Sequence, residues 1–241
     1  MTPQTEAAPR APLSRGRVLS AAVALADGIG IEALSMRRLA QELGVVPMAL
    51  YKHVANKEQL LDGMVETVVG EIDPPAPGSH WQGAVRQRIL SARAALLGHP
   101  WAAQVIRSRT GPTPAVLAYM DSVIGMFRGG GFSVDLTHHV MHALGSRVLG
   151  FTQELFDAAA PGPGPEGRPA VPPEAAAAYP HVTELAMAAA HDGDSVVGGG
   201  CDDQFEFEFA LDLLLDGFER LRQQGWTSSA RRSRSGGGLI A

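Results

Sequence analysis

Apolar residues recur at helical spacing along nearly the whole chain. Val18, Ala22, Leu25 and Ile29 mark a first helix, which Gly28 and Gly30 are placed to stop. A second helix begins at Ser35, whose hydroxyl can cap free backbone amides. It runs on as MRRLAQEL, with Leu39 and Leu43 on one face and small Ala40 where another helix can come close. Gly44 then stands where a left-handed cap residue is wanted, and Pro47 suits the first turn of a short helix, PMALYKHV. Leu50 and Val54, four apart, give that helix a buried side. Asn56 caps a fourth helix, with Gln59 three residues later placed to bond back in a capping box. Helix, glycine turn and short helix form the helix-turn-helix arrangement, in which the second helix enters the DNA major groove.

Three Pro/Gly-rich stretches divide the chain: DPPAPGS at 73–79, PGPGPEGRPAVPP at 161–173, and the tail from Gly225 onward. The blocks between them, 80–160 and 174–224, read as longer helices. No stretch sustains the period-two alternation of a strand, so the expected fold is all-α. A three-helix helix-turn-helix domain is expected over 13–72 and a larger helical regulatory and dimerisation domain over 80–224. Residues 1–12 and 225–241 are expected to be disordered, and 161–173 a mobile loop.

Two stripes stand out in the larger domain. Phe207, Leu211, Leu214, Phe218 and Leu221 step by four, three, four and three, with Glu208, Asp212 and Asp216 on another face. Leu136, Val140, Leu144, Val148, Phe151 and Leu155 line a second helix. Periodicity alone fits either an intramolecular core or a dimer seam. Reading two half-sites roughly 34–36 Å apart requires two recognition helices, which favours the seam.

Composition changes this picture at one point. The 241 residues carry a net charge of -5, but unevenly. Up to Lys57 the basic residues Arg10, Arg15, Arg17, Arg37, Arg38, Lys52 and Lys57 face only Glu6, Asp27, Glu32 and Glu42, which leaves +3 there and -8 on the remainder. A polyanion partner is therefore expected at one end only. The single Cys201 excludes a disulfide framework and a multi-cysteine zinc site, and fits a reducing cytoplasm. No apolar run nears the roughly 20 residues of a bilayer span, and the N-terminus has no apolar signal core. A cytoplasmic protein without membrane contact is expected. No Ser/His/Asp order, phosphate-cradling loop or metal cluster points to an enzyme, and the triple glycines at 129–131 and 198–200 lack the strand context such loops need. His138 and His142 share a helix face with His139 beside them, but no cysteine or carboxylate pairs with them in sequence. They are expected as pocket-lining or core histidines, with no metal and no cofactor.

The short helix turns Met48, Ala49, Tyr51, Lys52 and His53 away from its Leu50 and Val54 side. Lys52 can bond a guanine edge or a phosphate, and Ala49 or Met48 can pack on a thymine methyl. Tyr51 and His53 can donate to phosphates, as can Lys57 at a helix start, while Arg37 lies one turn into the preceding helix.

SMRRLAQELGV, ALYKHVANKEQLL and the spacing between them closely resemble the DNA-binding domain of the TetR (tetracycline repressor) family. More weakly, WQGAVRQRILSARAALLGHP, GGGFS and FEFALDLLLDGFERL resemble the regulatory domain of the branch containing the tetracycline repressor itself. The resemblance implies a homodimer that binds a double-stranded, pseudo-palindromic operator and is released by a small-molecule effector, which shifts the fourth helix, Asn56 to Glu71. It puts the DNA contacts at Met36, Arg37, Pro47, Met48, Ala49, Tyr51, Lys52, His53 and Lys57. Departures at Met48, Ala49 and Lys52 imply a different operator. Where the prototype holds magnesium-tetracycline through a His-x-x-Thr stretch, this chain reads VIRSRTGP, without the histidine. Trp101, Met120, Phe127, His142 and Phe151 are the candidates for an apolar effector pocket.

Overall fold

A computed structural model describes residues 12–75, 78–148, 178–181, 183–184 and 203–230. Among these residues the elements are helical and no strand occurs. In chain order they are α1 (Arg15–Ile29), α2 (Met36–Leu43), α3 (Pro47–Leu50), α4 (Lys57–Val69), α5 (Trp81–Gly98), α6 (Ala102–Ser108), α7 (Pro114–Gly129), α8 (Val134–Val148) and α9 (Asp203–Gln223). No helix is long and apolar enough to cross a membrane among the described residues.

Local chemistry sets the boundaries of the first four helices. Ser14 accepts a bond from the Arg17 amide and Ser35 one from the Arg38 amide, each at 3.2 Å, satisfying amides that have no intrahelical partner. Gly30 ends α1 at φ 81°, whereas Gly28 lies inside the helix and does not stop it. Gly44 sits in the left-handed region at φ 66°, ψ 36°, and the following Val45 amide reaches back to Ala40 O at 2.9 Å. Pro47 opens α3 as expected. At α4 the Asn56 side chain accepts from the Gln59 amide at 2.8 Å, while Gln59 Oε1 accepts from Ala55, one residue earlier than expected.

The chain forms two compact units, Met1–Gly130 and Gly131–Ala241. The first extends well past the helix-turn-helix because α4 packs on α5, α6 and α7 as well as on α1. Its core joins Val18, Ala22, Leu39, Leu50, Val54, Leu60, Met64 and Val68 to Trp101, Ala102 and Val105 from beyond the head. Burying one such leucine or valine contributes about 1.5–3 kcal/mol. Gly63 marks the close approach of α1 and α4: a Cβ there would lie 2.6 Å from Leu19 Cδ2.

In the second unit α8 and α9 pack together, with Leu136, Val140, Leu144, Phe207, Leu211, Leu215 and Phe218 buried. The segment after α9 departs from expectation, because the tail does not begin at Gly225. Gly225, at φ 61°, and Trp226 cap α9 through bonds to Arg222 O and Leu221 O, both 3.0 Å. The Trp226 ring meets His139 at 5.1 Å, and the Ser228 amide donates to Asp135 Oδ2 at 2.7 Å. These contacts hold residues 225–230 in place. The expected mobile loop at 161–173, the disordered N-terminus up to residue 11, the tail from 231 and Cys201 lie outside the described residues.

Candidate nucleic-acid interface

Leu50 and Val54 are 0% and 1% exposed, so α3 and the turn after it are anchored by two side chains. Most of the rest of this short element points outward. Val46 is 68% exposed, Met48 71% and Tyr51 46%, with Pro47 and Lys52 also exposed and Ala49 and His53 half-buried. Arg37 and Arg38 project from α2 and Lys57 from the start of α4, all exposed. Arg37, Lys52 and Lys57 form no ion pair among the described residues, whereas Arg15 and Arg109 in the same unit do. Apolar tips ringed by unneutralised cations suit a groove with methyl groups on its floor and phosphates on its walls.

Two of the nine predicted contacts are placed differently from the rest. Met36 packs on the hydrophobic core from α2. His53 lines a polar cavity of about 570 Å³ shared with Arg15, Gln59, Asp62, Glu66 and Arg109. Missing from the predicted set is Arg38, an exposed cation beside Arg37. Its place in the run MRRLAQEL was the available signal.

Behind the recognition surface, α4 is fastened to the body by a contact that spacing could not reveal. Arg109, which follows α6 in the VIRSRTGP stretch, holds Glu58 Oε2 at 2.5 Å and Asp62 Oδ1 at 2.8 Å with its side chain only 12% exposed. The second of these is an ion-pair contact without an aligned N–H bond. A largely desolvated guanidinium on two carboxylates in the first turns of α4 ties that helix to the α6–α7 connection.

Two family models match most of the chain. Residues 18–64 match "Bacterial regulatory proteins, tetR family" and residues 74–222 match "Tetracyclin repressor-like, C-terminal domain". The chain belongs to the TetR family. Among the relatives of this TetR-family chain, the class G tetracycline repressor of Vibrio anguillarum is 30% identical over 213 residues, which are 87% of this chain and 95% of that one. The HTH-type transcriptional repressor DrrR1 of Streptomyces coeruleorubidus is 38% identical over 122 residues, 50% of this chain and 45% of that protein. The chain thus aligns with about half the length of DrrR1, and likewise with 56% of an HTH-type regulator from Saccharopolyspora erythraea. Among solved structures, apo ActR from Streptomyces coelicolor superposes with a TM-score of 0.66 at 26% identity, covering 90% of this chain and all of ActR.

The remaining predicted sites of this TetR-family protein fall in both units. Trp101 is buried and its indole N–H donates to Asp27 at 2.6 Å, which ties α1 to the start of α6. Phe127 is 0% exposed and packs on Trp81 at 5.6 Å, which makes it core. Met120 is exposed, His142 is exposed in the second unit, and Phe151 lies outside the described residues.

The three histidines are surface residues, not core. His138 stacks edge-on with His142 at 4.6 Å, and His139 lies between Trp226 and Asp135. No group of side chains able to hold a metal occurs among the described residues.

The predicted seam residues are placed as follows in the single chain. Leu136, Val140, Leu144, Phe207, Leu211 and Phe218 are already buried within one protomer, Leu214 and Leu221 are half-buried, and nothing is described of the Val148 side chain. The apolar surface that α9 leaves open lies on the opposite side of the helix, at Phe205, Phe209 and Leu213, which are 61%, 53% and 56% exposed.

Proposed function

We propose that this protein is a ligand-responsive transcriptional repressor. Working as a cytoplasmic homodimer, it binds a pseudo-palindromic operator with two copies of α3 and is released by a small molecule. The observation that carries this reading is the exposed, cation-ringed face of α3, set at a fixed angle by Gly44 and Pro47. Arg37, Lys52 and Lys57 act on the DNA, Lys52 at base edges and Lys57 at phosphates. Dimerisation uses the open α9 stripe, because the side chains named from periodicity are occupied inside the protomer.

Structures of relatives support both halves of the cycle. BioQ has been crystallised with double-stranded operator DNA, ActR with actinorhodin, and a TetR from Acinetobacter baumannii with minocycline. In this chain a body-bound effector would act on α4 through the Arg109 latch. Loosening Arg109 from Glu58 and Asp62 frees the N-terminal end of the helix that follows α3. The effector need only favour the released state; a tenfold preference corresponds to about 1.4 kcal/mol.

A gel-shift titration against the DNA upstream of the protein's own gene tests this. A salt-sensitive, sequence-selective shift is expected, and a helical dimer that binds no DNA at any salt concentration would overturn it.

A further inference from the structure

His99 caps the end of α5, and its ring is held at both nitrogens. Nδ1 lies 2.9 Å from Asp27 Oδ1 in the last turn of α1, and Nε2 lies 3.0 Å from Glu71 Oε2 just beyond α4. These partners stand 72 and 28 residues away in the chain, and the His99 side chain is only 13% exposed. The remaining group at this site is Trp101, whose indole N–H donates to the same Asp27 oxygen at 2.6 Å.

That donor decides the proton count. An indole N–H can only donate, so Asp27 Oδ1 is an acceptor and His99 Nδ1 must carry a hydrogen to bond it. A neutral imidazole has one N–H, so Nε2 would then present a lone pair to the Glu71 carboxylate at 3.0 Å, which is repulsive. With both carboxylates ionised, both short contacts are satisfied together only by the imidazolium. The two carboxylates lie at opposite nitrogens and do not converge on one point, so the cluster is not a metal site.

We propose that His99 is a proton-operated brace, fastening the end of α4 to the end of α1 when charged and letting one side go when neutral. α4 is then held at its two ends by different means. Arg109 grips the N-terminal end with a guanidinium that keeps its charge at any physiological pH, and His99 grips the C-terminal end with a charge that can be withdrawn. Partial burial works against the charged ring, but the hydrogen bonds and charges of Asp27 and Glu71 outweigh it and hold its pKa above the ordinary 6.5. A raised folded-state value means the brace contributes fully below 6.5 and is lost as pH climbs through the higher folded value. The regulatory consequence, that acid stiffens the relay against effector-driven release, rests on α4 being that relay. The brace itself does not.

The test uses the full-length protein in two measurements. Histidine-resolved NMR titration should place the His99 midpoint above 6.5, and Glu71→Gln, at an exposed side chain, should lower it. Amide exchange in Val65–Val69, corrected for intrinsic rate, should lose protection several-fold between pH 6 and pH 8.5 in the parent, with no such change in His99→Gln. A midpoint at or below 6.5, or the same pH dependence of protection in the parent and His99→Gln, would overturn the proposal. Neither readout requires DNA, so failure of the repressor reading would be seen separately, in the gel shift.

Discussion

Two clusters of exposed large apolar side chains, one around α3 and one along α9, differ in what surrounds them. Around α3, Val46, Met48 and Tyr51 stand among Arg37, Arg38, Lys52 and Lys57. Along α9, Phe205, Phe209 and Leu213 stand among Glu206, Asp212 and Asp216. Apolar exposure alone says only that something covers the surface. The charge beside it says what: a cationic rim recruits a polyanion, whereas an anionic rim repels DNA and leaves another protein surface as the natural cover. The net charge of -5 averages these two opposite surfaces and describes neither.

The contrast is most easily broken at α9. Phe209→Asp with Leu213→Asp should turn the dimer into a monomer at micromolar concentration in sedimentation velocity. It should also weaken operator binding at least ~100-fold, since the second head no longer binds as part of the same molecule. A variant that stayed dimeric would place the interface elsewhere. At α3 the effects should be smaller and should separate by role. Lys52→Ala should cost about 1–3 kcal/mol on the operator and change sequence preference in a selection from random DNA, with little effect on random sequence. Lys57→Ala should weaken all sequences alike and flatten the slope of log affinity against log salt by about 1 unit. Equal effects of both variants on specific and random DNA would collapse the distinction between base and phosphate contacts. Asn56→Ala removes a 2.8 Å cap bond without touching either rim. It should lower stability by about 1 kcal/mol, seen as a shift of a few degrees in thermal unfolding, with the dimer intact.

Legibility in the sequence followed the range of the interaction. The helix-turn-helix could be read almost to the residue because its determinants are local: Ser35, Gly44, Pro47 and Asn56 each act within a few positions. Gly28 was misplaced as a stop because glycine merely permits a positive φ, and it is Gly30 that adopts one. The α9 stripe was half-legible. This helix carries two apolar faces, and period alone gave no reason to assign Phe207 and Leu211 to the protomer's own core and Phe205 and Phe209 to its outside. The ties on α4 were beyond reach. Asp27, Glu71 and His99 form no sequence pattern, nor do Arg109 and its two carboxylates, and only the packing of α4 on the body brings them together. For Trp101 and Phe127 the sequence offers no choice between pocket and core, because a large aromatic side chain suits a ligand and a core equally well.

The two-residue anchoring of the recognition element has a further consequence. Since Leu50 and Val54 are its two fully buried residues, exposed positions 48 and 52 and half-buried position 49 can be exchanged with both anchors in place. The vocabulary of this reader is decoupled from its grammar. On the proposed reading, new operators are reachable by rewriting three letters on a fixed scaffold, and selection, natural or in the laboratory, would change which genes the protein addresses while leaving its folding stability almost untouched.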